Sequence, residues 1–213
     1  QHPQLKDPTK GIQTPKLTKR VLPVASSTEL ARLFAAFPED ADFPTMRDKA
    51  VLDLLYSTGI RRSELLQLRW QDVRLAERHL RIQGKGSKQR LVPFGAPTAR
   101  TLERYYQTII DTFGQPALDQ VVILTDKGLA PYPKWIYNKV KAYLKRFPQL
   151  ERHSPHVLRH SFATHLTDEG AELNAVKELL GHASLAATQI YTHNSIDKLK
   201  RAYEQAHPKA KES

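Results

Sequence analysis

Between Arg78 and Pro93 the chain changes texture, and this one change limits the folds open to it. His79-Leu80-Arg81-Ile82 and Arg90-Leu91-Val92-Pro93 read as two short strands, joined by the glycine-bearing turn Gly84-Lys85-Gly86-Ser87-Lys88. Almost everything else has helical spacing. Ser26-Ser27-Thr28 offers a cap ahead of Leu30, Leu33, Phe34 and Phe37. A second helix is predicted from Thr45 to Ser57 and stopped by Gly59, with a third starting near Arg62. Pro97-Thr98 opens a helix through Leu102, Tyr105, Tyr106 and Ile109, and Lys134 to Phe147 is another. Ser154-Pro155 begins a helix running to Glu169, with serine as cap and proline in the first turn. A shorter helix spans Asn174 to Leu180, a further one carries Tyr191, and the last covers Ser195 to Ala206. Val121 to Leu124 is read as a third strand. The expected fold is therefore mainly α with a small antiparallel β-sheet, an α+β arrangement.

At 213 residues with 40% apolar content, the chain can bury one sizeable core. No apolar run approaches a membrane span, so no membrane partner is expected. The opening QHPQLKDPTK is polar and proline-bearing, unlike a signal peptide, and without a starting Met the chain is expected to be cut from a longer protein. The absence of cysteine removes disulfides and thiolate metal sites, and fits a reducing cytoplasm. Residues 1–24, with Pro3, Pro8, Pro15 and Pro23, read as an arm or linker.

Charge points to a partner. Against 22 Asp and Glu stand 33 Lys and Arg, a net +11, and such an excess commonly meets a polyanion, with nucleic acid foremost. Breaking and rejoining a nucleic-acid backbone without a metal sets a short list of parts. Guanidinium forks match the oxygens of a phosphate gaining charge, a nucleophile attacks, and an acid protonates the departing oxygen. A tyrosine nucleophile suits reversal, because a phenol ionising near ~10 leaves again far more readily than an aliphatic alcohol. Candidates for each part are present. Arg61 follows Gly59-Ile60 at a helix start, where backbone amides favour an anion. Lys85 lies at the hairpin tip between two glycines. His156 and Arg159 share a helix face three residues apart, and His182 follows Gly181 nine residues before Tyr191.

Four blocks carry a family resemblance: YSTGIRRSELLQLRW (56–70), GKGSKQRLVPF (84–94), SPHVLRHSFATHL (154–166) and LLGHASLAATQIYTH (179–193). In order and spacing they resemble the motifs of the tyrosine recombinases, or phage integrases, especially Xer-type and related bacterial enzymes, from about Val24 to His207. The resemblance implies a tyrosine recombinase catalytic domain over residues 25–194. Arg61 and Arg159 would clamp the scissile phosphate, and Lys85 would be the general acid. His156 would handle the nucleophile's proton, His182 would donate a hydrogen bond to the phosphate, and Tyr191 would attack. Glu64 falls where the family places a supporting acidic residue. Double-stranded DNA is the implied partner, with no metal, cofactor or small-molecule substrate. The arm at 1–24 would lead from an N-terminal DNA-binding domain. Residues 195–213 would form a C-terminal helix and tail, open to exchange between protomers in a tetrameric synapse.

Each residue alone has a plainer reading. An arginine at a helix start is most often a solvated charge, and a lysine in a glycine-rich turn is most often turn chemistry. The 84–88 turn lacks phosphate-loop spacing, and His156 with His160 lacks the glutamate of a zinc protease. His160 and His165 suit structural roles, and Tyr105, Tyr106, Tyr137, Tyr143 and Tyr203 suit packing. Two other functions use the same features: type IB topoisomerase relaxation, and a DNA-binding module without catalysis.

Overall fold

The computed structural model describes residues 23–84, 89–148, 150–181 and 193–210; the arm before residue 23 and the expected helix around Tyr191 lie outside them. The first helix, α1 (Ser27–Ala35), is fixed by a reciprocal cap. The Glu29 amide donates to Ser26 Oγ at 3.3 Å, and the Ser26 amide donates to the Glu29 carboxylate at 2.9 Å. Helix α2 (Phe43–Thr58) starts where the Thr45 amide donates to Asp42 at 3.0 Å, and it is buried on nearly every side between α4 (Ala96–Phe113) and α6 (Pro155–Asp168). Gly59 ends it at φ +60°, and a β-carbon there would come within 2.4 Å of the Phe162 ring. Left-handed backbone and contact with a buried ring together admit only glycine.

After the short α3 (Arg62–Gln67) and a 3₁₀ turn at Trp70–Asp72 comes the sheet, β1 (Val73–Arg74), β2 (His79–Gln83) and β3 (Gln89–Pro93), paired in that order and antiparallel throughout. Leu80 faces Val92 and Ile82 faces Arg90, and all four are buried. The third strand is thus Val73–Arg74. Val121 to Leu124 is not a strand of this sheet and makes only an isolated bridge from Val121 to Arg69. Its buried backbone is satisfied elsewhere: the Val122 amide donates to Leu68 O at 2.8 Å, the Tyr105 hydroxyl to Val122 O at 3.0 Å, and the Leu124 amide to the Tyr105 hydroxyl at 3.2 Å. An apolar run fully enclosed in this way has a strand's composition without needing a ladder.

Helices α5 (Pro133–Leu144), α6, α7 (Leu173–Leu180) and α8 (His193–Ala206) complete a mainly helical fold around one core that includes Leu54, Leu65, Ile82, Leu102, Ile136, Leu158 and Leu179. Proline in the first turn opens α4, α5 and α6. Ser154 precedes α6, but its hydroxyl makes no capping bond, so Pro155 alone sets that opening. No helix among the described residues is long and apolar enough to cross a membrane.

The last described segment is locked into this core. Leu199, Tyr203, Ala206, His207 and Lys209 are all buried. Lys209 Nζ lies 2.7 Å from Asp53 Oδ1 on α2 and 3.9 Å from the centre of the Phe34 ring. Asp53 also accepts from Ser57 Oγ at 2.7 Å and Thr98 Oγ1 at 3.0 Å. Burial opposes ionising Asp53, but the Lys209 charge and hydrogen bond, joined by the Ser57 hydroxyl, outweigh it and hold its carboxyl below the usual range. His207 stacks on Tyr203, with centroids 4.7 Å apart and planes 11° apart. Burial, then the nearby Lys209 charge, pushes the His207 imidazole down to about 3.

Two predictions follow from this socket. Lys209→Met strands a buried carboxylate and should cost about 3–5 kcal/mol in a denaturant melt, most of it recovered when Asp53→Asn is added. The His207 imidazole is neutral in the fold and titrates at its ordinary value once unfolded, so the unfolded chain binds the extra proton between those two values. Stability is therefore fully present above about pH 6.5 and lost as pH falls toward 3, by up to about 1.4 kcal/mol per pH unit. Thermal melts between pH 6.5 and 5 should show a shallower slope for His207→Gln than for the parent chain.

Candidate active site

Three elements far apart in sequence meet at the C-terminal end of α7. The left-handed Gly59 turn delivers Arg61 to the start of α3, and its Nη2 donates to Gly181 O at 3.3 Å. From α6, Arg159 donates through Nη2 to Leu180 O at 2.8 Å and through Nη1 to Gly59 O. The two guanidiniums therefore reach the carbonyls of successive residues at the negative end of a helix dipole. His156 lies one turn before Arg159 on the same face of α6 and is exposed.

Glu64 organises the cationic side. Its Oε2 accepts from the Arg61 amide at 2.7 Å, and its Oε1 from Arg61 Nη1 at 3.0 Å. The amide at this helix start is thus taken by the chain's own carboxylate, not left for an external anion. The same two oxygens accept from Arg90, Nη1 to Oε1 and Nη2 to Oε2, both at 2.9 Å. Arg90 Nε donates to Leu179 O at 3.0 Å. Gly181 sits against this guanidinium at φ +65°, where a β-carbon would lie 3.2 Å from its atoms.

Exposure separates the parts. The side chains of Glu64 and Arg90 are only 8% and 7% exposed, whereas that of Arg61 is 42% exposed and open to a ligand. Burial works against ionising Glu64, but Arg90's hydrogen bonds and charge, joined by Arg61, hold its carboxyl below the usual range. Arg159 is pulled down to about 10, first by burial and then by repulsion from Arg61, with Glu64 partly compensating. Three guanidiniums against one carboxylate leave a surplus of two positive charges in a partly desolvated pocket. A phosphate would relieve both the repulsion and the lost hydration.

Lys85, His182 and Tyr191 lie outside the described residues. Tyr105, Tyr143 and Tyr203 serve packing. Burial pushes the Tyr105 and Tyr203 phenols well above their ordinary value, and burial with the neighbouring Asp48 charge pushes Tyr143 up to about 12. His165 is buried, its Nδ1 3.0 Å from the Tyr56 hydroxyl, a structural contact. Among the described residues no three His, Asp or Glu side chains gather to hold a metal. Arg90 was missed by sequence reasoning. Its signal was present, since strand alternation through Val92 turns Arg90 toward the core, where a charge requires a partner.

Comparison with known proteins gives the chain a family. Residues 24–198 match the phage integrase family. The chain is 39% identical over 223 residues to tyrosine recombinase XerC of Chlorobaculum parvum, covering 95% of this chain and 66% of that protein. It therefore spans about two thirds of that relative's length. The crystal structure of XerA recombinase superposes with a TM-score of 0.67 at 28% identity, over 88% of this chain and 66% of that one. XerH site-specific recombinase bound to its difH substrate in a pre-cleavage complex gives 0.65 at 26%, over 85% and 50%. By sequence match and by fold, this chain belongs to the phage integrase family of tyrosine recombinases.

Proposed function

We propose that the chain is the catalytic part of a site-specific recombinase that cleaves and rejoins double-stranded DNA through a covalent 3′-phosphotyrosine at Tyr191, without metal or ATP. The observation that carries this reading is the convergence of Arg61 and Arg159 on the carbonyls of residues 180 and 181, immediately before His182. The two guanidiniums hold the non-bridging oxygens of the scissile phosphate, and His182 adds a hydrogen bond. Tyr191 loses its proton toward His156 and its oxygen attacks phosphorus. The bond to the 5′ oxygen breaks, and Lys85 supplies that oxygen's proton. Rejoining runs the same steps backward: a 5′-hydroxyl attacks phosphorus and the phenolate leaves. One phosphoester bond is exchanged for another, so no energy source is consumed. Removing one positioned donor from such a site typically costs about 10²–10³-fold in rate.

Recombination is favoured over topoisomerase relaxation by the Xer-named relatives, and a basic cysteine-free chain acting on DNA fits a cytoplasmic setting. The arm at residues 1–24 would connect to a separate DNA-binding domain, and the fragment alone should bind DNA weakly and with steep salt dependence. In a tetramer on DNA, the segment after residue 195 would fill a neighbour's Asp53 socket as Lys209 fills its own.

Incubation with a nicked suicide substrate should give a slower band on denaturing electrophoresis, unaffected by EDTA and absent in Tyr191→Phe. No band with the parent chain would end the recombinase reading, and a Tyr191→Phe variant that behaves like the parent would favour a binding module. Because the chain has no cysteine, Asp53→Cys with Lys209→Cys can report the segment's partner. A short bis-maleimide should join two chains when DNA is present, whereas links confined within one chain would count against exchange.

A further inference from the structure

We propose that Arg90 is a positioning residue for cleavage: by taking half of the Glu64 carboxylate, it keeps Arg61 from being neutralised and leaves that guanidinium free for phosphate. This rests on the reading above and adds to it a residue on the strand next to the catalytic turn.

The geometry makes the two arginines competitors. Each Glu64 oxygen accepts one bond from Arg90 and one from Arg61, so the carboxylate is saturated by four donors at 2.7 to 3.0 Å. Arg90 is buried and fixed by its third bond, to Leu179 O. Arg61 is the exposed partner, and its one other acceptor among the described residues is Gly181 O, at the longer distance of 3.3 Å. A bidentate, buried pair holds the carboxylate's charge most strongly, so the share felt by Arg61 depends on Arg90. Without Arg90 the whole charge falls on Arg61, and the fork meant for phosphate closes on Glu64.

Arg90 also sets where the acceptors are. Its guanidinium sits where a β-carbon on Gly181 would meet it at 3.2 Å, and its Nε holds the carbonyl two residues earlier. The end of α7, which both phosphate-facing arginines touch, is thus positioned from β3. The buried arginine serves more than packing, since an apolar side chain could fill the same space without engaging Glu64.

The test is single-turnover formation of the covalent DNA adduct at saturating nicked substrate, well below the melting temperature. Arg90→Gln should slow adduct formation about 10²-fold while the half-saturating DNA concentration holds. Adding Glu64→Gln removes the carboxylate that would neutralise Arg61 and should restore about tenfold of that loss. A purely structural role would lower the melting temperature and leave the rate at saturation unchanged, which overturns the proposal. A slow double variant with no recovery overturns it as well. Arg90→Lys covers a glutamine variant that does not fold: lysine satisfies one carboxylate oxygen, so its loss should be smaller, about tenfold, and again relieved by Glu64→Gln. Failure of the parent chain to form adduct would sink the recombinase reading itself, whereas a normal parent with an unaffected Arg90 variant sinks only this inference.

Discussion

One carboxylate, that of Glu64, ties α3, the sheet and α7 into a single unit. Burying it would cost several kcal/mol if it stood alone, and two guanidiniums and a backbone amide make it tolerable. The same arrangement aligns Arg61 with Arg159 and places both at the end of a helix whose carbonyls they share. The pairing of Arg61 with Arg159 is therefore a by-product of how the fold satisfies its own buried charge. Arg61 and Arg159 repel each other, so part of the binding energy for an anion is already stored there.

A second buried ion pair plays a different part. Asp53 and Lys209 connect the central helix to the end of the described chain, and stacked aromatic rings surround them. Hydrophobic contact alone would hold α8 in many registers. A charge pair with two hydroxyl donors accepts one. That socket is strict about what enters it.

Much of this was legible in the residues. The strand texture at 79–82 and 90–93, the stop at Gly59 and the shared face of His156 and Arg159 follow from local periodicity and backbone sterics, and each is found in place. Val121 to Leu124 misled because burial on every side imitates a strand's composition, while its hydrogen bonds go to Leu68 and a tyrosine hydroxyl. Arg90 escaped notice because its meaning lies in contacts with residues 26 and 89 positions away, which periodicity does not encode. The capping role of Glu64 was hidden for the opposite reason: an anion was expected from outside, and the chain provides its own.

The left-handed glycines at 59 and 181 carry a consequence for how such chains diversify. Each is crowded by a neighbour, a phenyl ring that a β-carbon would overlap in one case and a guanidinium that it would press on in the other. The segments joining the site's blocks face no such restriction, since they meet the pocket only through the ends they deliver. Insertions between the blocks would lengthen surface loops at small entropic cost, whereas a single methyl at either glycine would spread the pocket. Divergence should accordingly accumulate in the spacing and spare the corners.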